Sequence, residues 1–228
     1  MKIAINQPYF FPHIKYFQLI YQSDLFVFLD DAQFIRKGWI NKNRLNNKSS
    51  EVNISIPISE HSQNTKIKDI KISEDHFSNS INKLINTTKK MFKNSEEKNF
   101  MINILESSLS LNSNNLDVYL TFYLKELCQY LEIKMNYQKS SELELPVKEF
   151  NNPQEKIISI VNYLTGTTYL NLDGGRNLYS YENFKNFNID LLFISDLYSQ
   201  NDNINKNYSV VSHLLLDGKS KTQDSIFL

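Results

Sequence analysis

The sequence predicts an α/β fold, a mostly parallel sheet flanked by helices, with a helical insertion in its middle. Three observations carry that expectation. Short apolar runs ending in polar residues alternate with amphipathic stretches near both ends of the chain. The middle of the chain reads as consecutive helices instead. The composition is that of a globular protein, with 41% hydrophobic and 22% charged residues over 228 positions. A chain of this length can bury an ordinary core as one domain, 1–228.

Lys2 to Asn6 (KIAIN) reads as a buried strand. Gln7 to His13 (QPYFFPH) holds two prolines and forms a rigid loop, because proline fixes φ and biases the residue before it toward extended backbone. Ile14 to Gln22 is a helix with Ile14, Phe17 and Ile20 or Tyr21 on one face. Leu25 to Leu29 (LFVFL) is a second apolar strand and ends at Asp30–Asp31. Strand, loop, helix and strand in this order make a βαβ unit, the building block of Rossmann-like parallel sheets. The stretch AQFIRKGWINKNRLNN is polar with embedded aromatics and has no clean period. Glu51 to Ile58 alternates as a half-buried strand, with Pro57 at an edge or terminus, and Lys66 to Ile72 alternates as well. Helices are expected over Phe77 to Phe92, Glu96 to Leu109 and Leu116 to Leu131, which together form the insertion at 77–131. Pro153 opens a helix through Tyr163, as proline does in a first turn. Thr168 to Leu172 is a strand, Asp173 to Arg176 a turn, Ser180 to Phe187 a short helix and Ile189 to Ile194 a strand.

Charge and cysteine content narrow the function classes. Lys+Arg and Asp+Glu are each 25, for a net charge of zero. Such a chain has no long-range field toward a nucleic-acid backbone or an anionic bilayer, so neither non-specific nucleic-acid binding nor a membrane partner is expected. Cys128 is the one cysteine, so no intrachain disulfide forms; it adjoins an apolar helical stripe and reads as a buried small hydrophobe. The opening MKIAINQPYFFPH lacks the apolar run and cleavage site of a signal peptide, and no run approaches ~18 apolar residues; the cytoplasm is the expected location. No His/Cys cluster has zinc spacing, so no metal site is expected, and GxGxxG, Walker A and GxSxG signatures are absent.

In open parallel sheets, ligands bind where the carboxyl ends of the strands open into a crevice. Gln7, Tyr9 and His13 follow the first strand and open a helix, whose free N–H groups favour a phosphate or carboxylate. There His13 can hydrogen-bond an anion or move a proton, or simply cap the helix of a proline-braced loop. Asp30, Asp31 and Gln33 follow the second strand; paired carboxylates there can bind Mg²⁺, accept a ribose hydroxyl or orient a base, or cap a turn. Trp39, Asn43 and Arg44 offer a stacking platform and a bidentate anion contact, or a plug at the sheet edge. Gly174, Gly175 and Arg176 form a turn that can bring backbone close to a ligand, with Arg176 as an anion contact.

The same residues carry a family resemblance. The stretch QPYFFPHIKYFQLIYQSDLFVFLDDAQFIRKGWINKNRL resembles the opening of the WbqC-like family, and YLEIKMNYQKSSEL, TGTTYLNLDGGRNLYSYENFKNFNIDLLF and YSVVSHLLLDG fit its later parts. The resemblance implies a role in bacterial surface-polysaccharide (O-antigen or capsule) biosynthesis. That role implies making or modifying an activated sugar, and the first expectation is an enzyme that modifies a nucleotide-linked amino sugar by forming an amide on its amine, with ATP and Mg²⁺ as cofactors if the acyl group is activated in situ. The sequence departs from many relatives by carrying His13 and Lys15 where they show a Trp and a Gly. A second likeness, of PHIKY to the opening of nucleotidyltransferase-like folds with a His-Ile-Gly-His signature, leaves nucleotidyl or adenylyl transfer open. A non-catalytic protein that binds a glycan intermediate is the third reading.

Overall fold

A computed structural model describes residues 1–146, 149–197 and 208–227. Its centre is a five-stranded parallel sheet. Strand β1 (Lys2–Asn6) leads through helix α1 (Ile14–Gln22) to β2 (Leu25–Phe28), which pairs beside β1 in register Ile3 to Leu25. The other edge of β1 is taken by β6 (Thr168–Asn171), and the outer positions by β5 (Tyr137–Lys139) next to β2 and β7 (Asp190–Phe193) next to β6. The order is β5-β2-β1-β6-β7. The chain therefore winds outward in both directions from β1, and the β1/β6 boundary is the topological switch point.

Both faces of the sheet are covered, which explains why its central strands read as continuous apolar runs rather than alternating ones. Ala4, Phe26, Phe28 and Leu170 pack with α1 and with α8 (Val210–Phe227). Ile3, Ile5, Val27 and Tyr169 face the other way, onto α5 (Pro153–Tyr163) and α6 (Tyr181–Lys185). Short helix α7 (Ile194–Leu197) continues directly from β7.

Between β2 and β5 the chain makes an antiparallel hairpin, β3 (Lys42–Asn46) with β4 (Glu51–Ser55), and then α2 (Glu74–Met91), α3 (Lys98–Ser108) and α4 (Leu116–Tyr130). The helices agree with the sequence expectation to within a few residues at each end, and Glu74 and Asp75 in the first turn of α2 suit its positive end.

Four features differ from expectation. Lys66 to Ile72 is not a strand but a 3₁₀ turn at Ile67–Asp69 flanked by isolated bridges. Buried Ile67 and Ile70 stand three apart, the 3₁₀ period, which passes for alternation in so short a stretch. The Glu51 strand stops at Ser55, ahead of Pro57. Strands β3 and β5 carry little sequence signal, because β3 buries only Leu45 and β5 is three residues at a sheet edge. Finally, VVSHLLL belongs to a long α8, bent at Gly218, whose φ of 82° suits glycine. Among the described residues no helix is long and apolar enough to cross a membrane.

Candidate functional site

Every strand of the parallel sheet delivers polar residues at its carboxyl end. The two at the switch point do so in the same way. Asn6 ends β1 and its Oδ1 accepts the Gln7 N–H at 2.8 Å; Asn171 ends β6 and its Oδ1 accepts the Leu172 N–H at 2.8 Å. Each side chain thus satisfies the first backbone donor beyond the ladder and turns the chain sharply out of the sheet.

The loop after β1 is rigid for reasons legible atom by atom. The Tyr16 hydroxyl donates to the Gln7 carbonyl at 2.8 Å, and the Tyr9 hydroxyl to Gln7 Oε1 at 3.2 Å. Phe11 takes a positive φ of 48°, unusual for a bulky residue. It is held there from the hairpin: Asn43 Nδ2 donates to the carbonyls of Phe10 (3.0 Å) and Phe11 (2.6 Å), and Phe10 N–H donates to Ile40 O (2.9 Å). Phe10 and Phe11 stack on each other and meet Tyr123 of α4 edge-on. His13 is the N-cap of α1 but its side chain does not cap the helix, and its ring makes no hydrogen bond among the described residues. Burial, reinforced by the charge of Lys15, lowers its pKa to about 4, so the imidazole is neutral at pH 7.

The turn after β6 faces this loop. Lys15, in the first turn of α1, pairs with Asp173 Oδ2 at 3.1 Å and so closes the switch-point crevice from both sides. The other oxygen of Asp173 accepts the backbone N–H of Ser195 (3.2 Å) and its hydroxyl. Burial pushes the Asp173 carboxyl up, but the Ser195 and Lys15 hydrogen bonds outweigh it and hold it below the ordinary carboxylate value. Arg176 donates to Ser195 Oγ at 2.8 Å, pairs with Asp196 at 2.5 Å and lies 4.4 Å above the Phe193 ring. Gly175 is required by contact: a Cβ there would lie 2.3 Å from Asn171 Nδ2, whereas one on Gly174 would meet nothing within 4 Å. A cleft of ≈ 470 Å³ borders this turn, lined by Asn152, Gln154, Asn177, Tyr179 and Ser180 among others. A cleft of ≈ 520 Å³ between the α2–α3 connection and α8 lies away from the strand ends and holds none of the expected site residues.

The acidic pair behaves differently. Asp30 is 1% exposed, and it accepts from Ser140 Oγ (3.1 Å), Ser141 N–H (2.9 Å) and Ser141 Oγ (2.6 Å). It clasps the end of β2 to the end of β5. Asp31 accepts from Ser140 Oγ at 2.5 Å and pairs with Lys156 of α5 at 2.6 Å. Burial raises its pKa, but the bonds from Lys156 and Ser140 and the lysine charge prevail, and the carboxyl stays below its ordinary value. Gln33 is exposed and donates to the Gln63 carbonyl at 2.8 Å, away from the acidic pair. On the hairpin, Arg44 lies 5.2 Å from the centre of the Trp39 ring and pairs with Glu51 at 3.3 Å. No hydrogen bond, ion pair or ring contact among the described residues joins Trp39 or Arg44 to Asp30 or Asp31.

Asp173, reached by both Lys15 and Arg176, ties the start of α1 to the turn after β6; Gln7, Tyr9 and His13 lie on the β1 side of that link, braced by Asn43, and Gly174, Gly175 and Arg176 on the β6 side. Asp30 and Asp31 stand on the neighbouring strand end, and Gln33, Trp39 and Arg44 are outlying. Ser195, Asp196, Ser140 and Lys156 belong to these networks and were not singled out from sequence, and Lys15 was noted there only as a departure from relatives. Ser195 and Asp196 had a usable signal, since they follow directly on the last expected strand. Among the described residues no group of three or more His, Cys, Asp or Glu side chains is arranged to hold a metal ion.

The sheet order defines a doubly wound parallel α/β protein with polar residues at the strand ends of its switch point. The sequence profile of the WbqC-like protein family matches residues 7–224, nearly the whole chain. The chain belongs to that family. No curated protein and no solved structure matches it.

Proposed function

We propose that the protein is an enzyme of bacterial surface-polysaccharide biosynthesis that binds a nucleotide-linked amino sugar at the β1/β6 crevice and forms an amide on its amine. Membership of the WbqC-like family is consistent with a role in polysaccharide-related biosynthesis. The observation that carries the reading is the meeting of the α1 N-terminus, Lys15 and Arg176 beside a neutral, half-buried His13. A pyrophosphate suits helix N–H groups and the two cations, which it would draw from Asp173 and Asp196. In the proposed step the neutral amine attacks the acyl carbon of an activated donor. The new N–C bond forms, the bond to the leaving group breaks with its electron pair, and one amine proton passes to His13. Of the three candidate bases, His13 is the one whose side chain makes no hydrogen bond among the described residues; Asp30 is consumed by the serine clasp and Asp31 by Lys156 and Ser140. Trp39 would stack on the base only if the hairpin approaches a bound ligand, and Arg44 would follow it. If the acyl group is activated in situ, ATP and Mg²⁺ supply that chemistry.

The test is incubation with UDP- and dTDP-linked amino sugars and acyl donors. A rise in melting temperature with the sugar nucleotide, a mass gain equal to the acyl group, and loss of the mass gain in His13→Gln are expected. Absence of both melting shift and mass gain defeats the reading. A second reading, nucleotidyl or adenylyl transfer, is favoured by the position of His13 immediately before α1 at the switch point. It requires Mg²⁺-dependent exchange of pyrophosphate into ATP, and activity that persists in chelator rules it out. A stable complex with a sugar nucleotide but no turnover would leave the protein as a binder of a glycan intermediate.

A further inference from the structure

The segment Ala32 to Ser50 contains five basic residues, Arg36, Lys37, Lys42, Arg44 and Lys48, and no acidic one. In a chain of zero net charge this is a local excess that the total conceals, and the expectation of no membrane partner rested on the total. Two large apolar side chains of the same segment stand in water, as Leu178, Tyr181 and Phe187 do elsewhere, but here they sit among the cations. Gly38 N–H donates to Ile35 O at 2.9 Å, closing a tight turn that presents Ile35 at 54% exposure, with Trp39 at 52% beside it. Arg36 and Lys37 occupy the centre of that turn and are exposed. Its frame is fixed: Lys42 Nζ donates to Arg36 O (2.8 Å), Arg36 Nη2 to His61 O (2.9 Å), and Phe34 N–H to Thr65 O (2.9 Å). That last contact brings Lys66 alongside, since Gln33 and Lys66 form a bridge. Glu51 offsets Arg44, and Asp69 is paired with Lys68, so Arg36, Lys37, Lys42, Lys48 and Lys66 stand against Glu60.

We infer that the Ile35–Trp39 turn and the hairpin behind it form a docking surface for an anionic lipid bilayer. An indole and an aliphatic side chain at the tip of a convex, rigid turn suit the boundary between headgroups and acyl chains, where tryptophan concentrates. The surrounding lysines and arginines suit the negative headgroup surface. A single-stranded nucleic acid is the poorer fit. It asks for a groove with successive open ring faces, and here the only indole has Arg44 over it and its apolar neighbour is an isoleucine that stacks on nothing. Ile35, Arg36 and Lys37 have no part in the chemistry assigned to the β1/β6 crevice, whereas Trp39 and Arg44 would leave the bilayer surface if the hairpin closed on a ligand there.

Trp39 is the only tryptophan, so fluorescence excited at the red edge, where tyrosine does not absorb, reports on this turn. Titrating the protein with vesicles of phosphatidylglycerol and phosphatidylcholine should shift Trp39 emission to the blue, and the effect should weaken as salt rises. Lys37→Glu should lower the partition coefficient about 25-fold, at about fivefold for each unit of charge, and Ile35→Ser should shrink the blue shift, both with an unchanged melting temperature. Neither residue belongs to the crevice. No shift with anionic vesicles, an equal shift with pure phosphatidylcholine, or an unaltered partition of Lys37→Glu overturns the proposal. So does a response to a single-stranded oligonucleotide without one to vesicles.

Discussion

Replacing Asp30 by alanine asks whether a carboxylate at the end of β2 serves the fold. The side chain is 1% exposed and accepts three hydrogen bonds, two of them from Ser141. Alanine leaves the Ser141 N–H and hydroxyl without their acceptor, while the Ser140 hydroxyl keeps Asp31. Ser141 is itself exposed, so water takes up its freed donors and the loss is the net value of the hydrogen bonds to the carboxylate, about 2–3 kcal/mol in all. At roughly 2–4 °C per kcal/mol for a chain of this size, the melting temperature should fall by about 7 °C. The control is Asp31→Ala, which removes a partly exposed pair with Lys156 and should cost about 1 kcal/mol. Circular dichroism melts of the parent, Asp30→Ala and Asp31→Ala decide the matter. If Asp30→Ala melts within about 1 °C of the parent, the clasp does not stabilise the fold and the carboxylate must be explained by function.

Three further outcomes follow from the site. The ring of His13 should titrate near pH 4 when followed by its imidazole proton resonances. Because its folded pKa lies below the ordinary 6.5, the unfolded chain binds the proton first; stability should fall by about 3 kcal/mol as pH drops from 6.5 toward 4, and His13→Asn should flatten that slope. Asp31 and Asp173, with lowered pKa values, withdraw their contribution only further down, below their ordinary 3.8. Gly175→Ala should destabilise by about 1–3 kcal/mol, since its Cβ meets an Asn171 amide pinned by its own bond to Leu172, whereas Gly174→Ala should melt as the parent does; equal melts for the two would contradict the close approach. Asn43→Asp removes the donor that holds the Phe10 and Phe11 carbonyls, and should cost about 2 kcal/mol and loosen the β1–α1 loop in hydrogen exchange; unchanged protection of that loop would refute the bracing role.

What could be read from the sequence was what depends on near neighbours. The apolar runs KIAIN and LFVFL, the two prolines after the first, and the helical stripe of Leu116 to Leu131 need only local periodicity, and each lies where that periodicity put it. The strand ends follow from the same signals, which is why Gln7, His13, Gly175 and Arg176 were identifiable as residues of the crevice. What was hidden depends on partners far along the chain. Asp30 looked like a base because Ser140 and Ser141, which absorb it, are 110 and 111 positions away. Asn43 looked like a ligand contact because the carbonyls it braces belong to a loop more than 30 residues earlier. Strand β5 is short, edge-placed and polar, so nothing in YQK marks it until β2 is beside it.

The position of β1 has a bearing on synthesis. It is the middle strand of the sheet, yet its second neighbour, β6, begins at Thr168. At 5–20 residues per second, roughly 10–30 s separate the emergence of the two from the ribosome. Throughout that interval β1 offers an apolar strand with one ladder open, the kind of edge that recruits other chains. Aggregation of nascent protein, rather than loss of the finished fold, is thus the failure to look for when expression is poor, and slowing initiation or supplying a chaperone that shields strands should relieve it.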